Sequence, residues 1–305
     1  MPGVNPTECP LCLSRKIGRT VFKYTLPDKY EDAIGVPKRG YRRELRSCGA
    51  CGSLVQTGGS GRIEDVYSSE YRSEAFRGES QGELFDRIVS LPREDSENLA
   101  RVDTIAADMG AFVNLESPLR MLDIGSGLGV FPWAMAVRFP QWRVAAVDPD
   151  ASSCCLLALK AHEAGAEVTA VDRFYANGLF VEAERFGDGF DLVTLVHVLE
   201  HLRNPDEMLS QITGAKAADM KEGGLLYVEM PDALSVHLCD KDHDRFNSCH
   251  YFLPSERGLS AMLGRHGLEV VVARRVRTKR GMVNLTCIAA RPRKAAGAKR
   301  AVLPK

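Results

Sequence analysis

The sequence predicts an α/β protein: a parallel sheet covered by helices on both faces, with a small N-terminal cysteine module and a helical cap ahead of it. Three observations predict this. Residues 119–129, LRMLDIGSGLG, pass from apolar to acidic at Asp123 and then through Gly125, Ser126, Gly127 and Gly129. That pattern reads as a buried strand, a tight turn and a helix start. Further short apolar runs recur at helix-length intervals up to residue 229, as repeated βα units require. Two C-x-x-C pairs, Cys9/Cys12 and Cys48/Cys51, open the chain.

Composition bounds the rest. The 305 residues leave room for one large domain and a smaller one, and 45% apolar residues suit a sizeable core. Formal net charge is zero, so no overall field gathers nucleic acid. No apolar run approaches the roughly 18 residues of a membrane span, and residues 1–6 lack a basic-then-apolar secretory pattern. Nine cysteines, four of them in metal-type pairs, lead us to expect a reducing, cytoplasmic setting.

Each C-x-x-C pair aims two thiolates at one point. Cys9, Cys12, Cys48 and Cys51 together make the closed Cys₄ site that structural zinc prefers, with no coordination position left for catalysis. The long spacer implies an inserted hairpin or loop. A redox-active pair is the rival, but a thioredoxin-like βαβ context is absent. The spacer is basic and aromatic, with Lys23, Tyr24, Tyr41, Arg42, Arg43 and Arg46 among others. It reads either as a docking face for phosphate or as a solvated face.

Residues 57–61, TGGSG, read as a flexible joint, so the Cys₄ module is expected to span 1–60. A linker and helical cap would occupy 61–117, where residues 63–76 are polar and aromatic and residues 84–89 and 98–112 carry helical apolar spacing. The large domain is expected over 118–291. Residues 292–305 read as a basic, alanine-rich, disordered tail.

Within the large domain the elements follow in order. Pro118 marks entry to the first strand, and a helix follows the glycine loop over 128–138 with Pro132 in its first turn, where a missing N–H costs little. A second strand over 144–147 ends at Asp148, and a helix over 150–163 holds Cys154 and Cys155; their apolar neighbours favour buried packing over reactivity. A third strand over 167–171 ends at Asp172. Strands at 190–196 and 223–229 complete the series, and 268–278 with 282–289 form a terminal pair.

The glycine loop selects the cofactor. Dinucleotide sites favour G-x-G-x-x-G around a pyrophosphate, but here the third glycine comes one residue early and Val130 takes its place. Asp123 at the loop would repel a diphosphate and attract an ammonium group. S-adenosylmethionine (SAM) has an ammonium and no phosphate. Asp148 at the next strand end can accept hydrogen bonds from both ribose hydroxyls. Asp172 can either meet the adenine amino group or cap the next turn.

Ligands in such sheets bind outside the carboxyl ends of the strands. Directly after the fourth strand come His197, Glu200 and His201, at a spacing that shares one helical face. His250 follows the fifth strand. Three readings stand. His201 or His250 is a general base toward an acceptor hydroxyl; or His197, Glu200, His201 and His250 hold a divalent ion that polarises it; or His197 and Glu200 fix the turn and the cofactor's ribose and methionine end. Residues 240–247, DKDHDRFN, read as a charged loop over the substrate cleft.

The loop 123–129, the acid at 148, the H-V-L-E-H segment at 197–201 and the terminal strand pair together resemble class I SAM-dependent methyltransferases, over residues 118–290. The resemblance implies a Rossmann-like seven-stranded sheet with an antiparallel strand set into it, SAM as cofactor, and helices before the sheet that cover the substrate cleft. Residues 197–201 also look like the E-x-x-E-H motif of quinone-pathway and small-RNA 2′-O-methyltransferases. Those bind a divalent ion through two acids, that histidine and a later one; Glu200 and His201 match, and His197 replaces the first acid. A Cys₄ module fused to such a domain is similar to methyltransferases of sugar, surface-polysaccharide or natural-product biosynthesis. The expected activity is methyl transfer from SAM to a hydroxyl, less readily a carbon, of a small, sugar-like acceptor such as a nucleotide-sugar. The rivals are an RNA methyltransferase docking through the basic module, a non-catalytic SAM-binding module and a nicotinamide oxidoreductase.

Overall fold

A computed structural model of the chain describes residues 6–61, 79–175, 186, 189–214 and 219–293. The stretch 63–76 and the tail from 294 onward lie outside these. The chain opens with strand β1 (Ile17–Tyr24), helix α1 (Lys29–Ala33), β2 (Arg43–Cys48) and β3 (Leu54–Gly58). Helices α2 (Gln81–Val89) and α3 (Glu97–Met109) follow. Then β4 (Arg120–Ile124), α4 (Val130–Arg138), β5 (Arg143–Asp148), α5 (Ala151–Glu163) and β6 (Val168–Asp172) alternate. After β7 (Phe190–Val196) come a 3₁₀ turn (Leu199–His201), α6 (Pro205–Thr213) and β8 (Met220–Pro231). The described chain closes with β9 (Phe252–Leu253), α7 (Glu256–Arg265), β10 (Glu269–Arg277) and β11 (Val283–Ala290).

Seven strands form one sheet in the order β10-β11-β8-β7-β4-β5-β6. The five from β6 to β8 run parallel, while β11 is antiparallel to both β8 and β10. This is the Rossmann-like sheet expected, terminal antiparallel strand included. Because successive strand residues point to opposite faces, β4 divides its side chains between two layers. Met121 packs with Val102, Ile105 and Met109 of α3 and with Phe131 and Met135 of α4. Leu122 belongs to the other layer, with Leu209 and Ile212 of α6 and Leu259 and Met262 of α7. Both residues are fully buried, which is why these strands read as continuous apolar runs.

Most helix starts are written locally. Ser80, Ser96, Asp150 and Ser255 each accept a main-chain N–H of the first turn. Helix α4 begins differently, at left-handed Gly129 with no side-chain cap. Its first N–H groups are therefore left to the glycine loop and to whatever binds there.

A second sheet runs β1-β2-β3-β9, antiparallel throughout. Two expectations change here. Thr57 and Gly58, expected in a flexible joint, end β3 and pair with Glu44 and Arg43; ladder hydrogen bonds, invisible to composition, hold them. The small sheet also takes its fourth strand from residues 252–253, far along the chain. Part of the basic spacer is engaged: Arg43 is buried, Arg42 pairs with Glu44, and Arg46 donates to Gly18 O, while Arg15, Lys16, Arg19, Lys23 and Arg39 are exposed. Among the described residues no helix is long and apolar enough to cross a membrane.

Candidate active site

The glycine loop joins β4 to α4. Gly125, Gly127 and Gly129 all have positive φ, a region side chains with a Cβ avoid. Two are also packing glycines: an added Cβ would lie 2.7 Å from Val198 Cγ2 at Gly125 and 2.8 Å from Leu157 Cβ at Gly129. At Gly127 nothing lies within 4 Å, so this part of the loop faces open space. Ser126 Oγ is buried without a hydrogen-bond partner.

Three strand-end carboxylates sit around the loop in different states. Asp148 Oδ2 accepts the Gly127 N–H at 2.8 Å, and its Oδ1 accepts the Asp150 N–H at 2.9 Å. Asp172 lies opposite Asp148 in the β5–β6 register and is exposed. Asp123 departs from expectation. It was expected at the mouth of the turn; the structure buries it to 2% exposure, with Thr194 Oγ1 donating to its Oδ1 at 2.5 Å. Alternation along β4 points this side chain into the sheet layer. Burial pushes its pKa up to about 7, against the lowering effect of Thr194 and Arg101.

After β7 the chain turns sharply. His197 has φ of 55°, and its main-chain N–H still donates to Glu229 O on β8. The turn aims its ring between two acids. Nδ1–H donates to Glu200 Oε1 at 3.1 Å, and Nε2 lies 3.5 Å from Glu229 Oε1. Burial disfavours the charged ring, but the two glutamates overcome it and raise the pKa to about 9. The raised pKa favours the charged ring, and Asn284 Nδ2 lies 3.2 Å from the same Nε2. Glu229 is the hub of this group. Arg101 of α3 donates to both its oxygens, at 2.6 and 2.8 Å, and Tyr227 and Asn284 donate at 2.8 and 2.7 Å. Arg101 and His197 hold its carboxyl well below the usual range despite burial.

Glu200 also belongs to a second group. Oε2 is buried with no hydrogen-bond partner, and Glu200, His201 and His250 bring one ligand atom each to within 4.8 Å of one another. His201 Nδ1–H donates to Cys249 O at 3.1 Å, and His250 Nδ1–H to Arg245 O at 2.8 Å. Carbonyls only accept, so each bond places the proton on Nδ1 and the lone pair on Nε2. Burial pushes His201 down to about 3 and also lowers His250, so both rings are neutral. The set fits a divalent ion: one orphaned carboxylate oxygen, two imidazoles, and a carbonyl behind each ring. It has three members, not the four expected, because the backbone turn at His197 carries that ring to Glu229 instead.

The four N-terminal cysteines converge as expected. Cys9 and Cys51 sulfurs are 3.8 Å apart and Cys12 and Cys48 sulfurs 3.6 Å. A zinc tetrahedron with Zn–S of about 2.3 Å has edges near ~3.8 Å, so the four sulfurs fit that ion. Each knuckle closes on a left-handed residue, Leu13 or Gly52, donating back to the first cysteine's carbonyl. Gly258 of α7 packs so closely on this site that an added Cβ would meet Cys51 Sγ at 3.2 Å. Of the two cysteines expected to be packed in α5, Cys154 is buried with its thiol raised to about 11, whereas Cys155 is exposed, one position round the helix from the apolar face.

Sequence reasoning missed Glu229, Arg101 and Asn284. For Glu229 the signal was present, since it closes the fifth apolar run as Asp123 and Asp148 close theirs. Arg101 and Asn284 carry none, because each acts through a partner distant in sequence.

Residues 94–273 match a family described as a methyltransferase domain. No curated protein matches the chain by sequence. Among solved structures it is similar to the 1,6-didemethyltoxoflavin-N1-methyltransferase of Burkholderia thailandensis, bound to S-adenosylhomocysteine: TM-score 0.53 and 19% identity, over 82% of this chain and 96% of that one. It is also similar to the magnesium protoporphyrin IX methyltransferase of Synechocystis PCC 6803, likewise with S-adenosylhomocysteine: TM-score 0.54 and 19% identity, over 75% and 99%. At such identities the likeness speaks to the fold.

Proposed function

The chain belongs to the methyltransferase-domain family that its residues 94–273 match, as a SAM-dependent enzyme of the class I fold, and we propose that it methylates a hydroxyl of a small, sugar-like acceptor. The observation that carries the choice of a hydroxyl is the pair of neutral imidazoles, His201 and His250, with their Nε2 lone pairs held beside Glu200. A neutral oxygen nucleophile must lose its proton as it is methylated, and an Nε2 lone pair whose tautomer is fixed from behind by a carbonyl is an acceptor for that proton.

SAM, when bound, supplies an electrophilic methyl group on a sulfonium. Gly125, Ser126, Gly127 and Gly129 are proposed to line its methionine end, with Asp123 beneath them as counter-charge to the ammonium. Asp148 would accept from the ribose hydroxyls and Asp172 meet the adenine edge. His197, held by Glu200 and Glu229, supports the turn beneath the cofactor. His201 and His250 orient the acceptor hydroxyl and take its proton, and most of the rate would come from holding that oxygen in line with the methyl group. As the alternative to that role, Glu200, His201 and His250 have the donor set for a divalent ion, which would occupy the same Nε2 lone pairs and polarise the hydroxyl in place of a general base. A structural zinc at Cys9, Cys12, Cys48 and Cys51 completes the cofactor set.

S-adenosylhomocysteine release across a panel of free sugars, nucleotide-sugars and matched deoxy analogues tests this reading. Turnover should require one particular hydroxyl and fall at least a hundredfold in His201→Ala, within the ~10²–10⁴ range of general-base effects. Turnover that His201→Ala and His250→Ala leave unchanged would remove the imidazoles from the chemistry.

A further inference from the structure

The two imidazoles are held by a loop, and the loop is held by the small N-terminal sheet. Gln56 of β3 is buried to 2% exposure and grips both sides of Cys249–His250. Its side-chain Nε2 donates to Ser248 O at 3.1 Å, and its main-chain N–H donates to Tyr251 O at 2.8 Å. Asp28, which caps α1, accepts from Ser248 N–H at 2.5 Å and from Ser248 Oγ at 2.9 Å. Arg43, 1% exposed, donates to Phe246 O at 2.7 Å and to Gln56 Oε1 at 3.1 Å, and its guanidinium lies 4.0 Å from the Tyr24 ring centre. Tyr24 and Tyr30 donate to Lys241 O and Asp244 Oδ1. The loop expected to cover the substrate thus faces the Cys₄ sheet.

On its other side the same loop supplies the carbonyls that set the rings. Cys249 O receives His201 Nδ1–H, Arg245 O receives His250 Nδ1–H, and Tyr251 N–H donates to Glu200 O. Every tie from Gln56 and Asp28 lands within two residues of one of these groups. We propose that Gln56, with Asp28 and Arg43, is a positioning residue for the His201–His250 pair, so that the Cys₄ sheet is a supporting wall of the reaction centre. An exposed docking arm would not bury a glutamine and an arginine against one segment of the catalytic domain. The proposal rests on the reading of His201 and His250 as the reacting pair, but its test does not.

The test is nitrogen-15 NMR of the histidine rings in the full chain as purified. In the wild type, His201 and His250 should show the Nδ1–H tautomer. Gln56→Glu keeps the acceptor for Arg43 but sets an oxygen against Ser248 O. Both rings should lose the fixed tautomer, and amide exchange at Cys249–Tyr251 should quicken on the order of tenfold, with SAM affinity unchanged. Val55→Ala, a cavity in the same strand, should lower stability and leave both rings as they are. Should Gln56→Glu fail to fold, Ser248→Ala removes one tie to Asp28 and is read the same way. Unaltered tautomers in a folded Gln56→Glu or Ser248→Ala protein overturn the proposal. Altered tautomers with undiminished methyl transfer uphold the positioning and overturn only the role assigned to the histidines.

Discussion

Gly127 and Asp148 are joined by a 2.8 Å hydrogen bond from main-chain N–H to Oδ2, which ties the glycine loop of the first strand to the end of the second. The carboxylate that the ribose would meet already shapes the turn. Asp148→Ala should weaken SAM binding on the order of tenfold to a hundredfold, as loss of a charged acceptor does. Asp148→Asn, keeping one acceptor oxygen, should fall between. Calorimetric titration with SAM measures both, and wild-type affinity in the alanine variant would release Asp148 from the cofactor site.

The loop glycines should separate by substitution. Gly129→Ala forces a Cβ to 2.8 Å from Leu157 at a φ of 84°, so we expect a stability loss of about 3 kcal/mol from overpacking and strain. Gly127→Ala meets open space and should cost about 1 kcal/mol, yet weaken SAM where the ligand approaches the main chain. Urea unfolding paired with SAM titration reads the contrast. Equal stability losses would contradict it.

SAM affinity should depend on pH through Asp123. Its folded pKa, about 7, lies above the ordinary aspartate value because of burial. Stability from the buried neutral acid is therefore full below the ordinary value and lost as pH rises through 7. Binding runs the other way, because the ammonium prefers the ionised carboxylate. Affinity should rise several-fold from pH 6 to pH 8, roughly following the ionisation. The His197 pKa is raised to about 9 by Glu200 and Glu229, above that window. In Asp123→Asn the dependence should vanish; a pH-independent wild type would refute the role.

Arg101→Met leaves Glu229 buried without its bidentate partner. Breaking such a pair costs about 3 kcal/mol, measurable as a shifted urea midpoint at neutral pH. Because the Glu229 carboxyl is held low, its contribution is present above the ordinary glutamate range and lost as pH falls through its folded value. The variant should therefore lose less stability on acidification than the wild type does.

One equivalent of zinc should accompany the purified chain, with Cys9, Cys12, Cys48 and Cys51 unreactive to thiol reagents until a chelator is added. Zinc loss should lower the melting temperature, since α7 packs on the knuckles through Gly258. Elemental analysis and thiol titration decide it; a metal-free protein of full stability would not fit.

Much of the site could be read from local pattern. Apolar runs ending in acids located Asp123, Asp148 and Asp172, and C-x-x-C spacing located the cysteine cluster. Each of those signals lies within a few residues, where turn chemistry and strand alternation act. The state of Asp123 was not legible, because burial depends on which layer covers β4. Nor was the division of Glu200 between two groups, since a backbone turn at His197, with φ of 55°, undoes the helical spacing of its neighbours.

By itself, then, the sequence determined the sheet, the glycine turn, the cysteine cluster and the short histidine segment, all properties of neighbouring residues. Only the tertiary structure decided that β3 and β9 share a sheet, that Gln56 and Asp28 grip the segment around His250, and that Arg101 closes on Glu229. Those pairings join distant parts of the chain. They exist because buried polar groups must find partners once the apolar layers have closed, and nothing in a local stretch records which partner will be there.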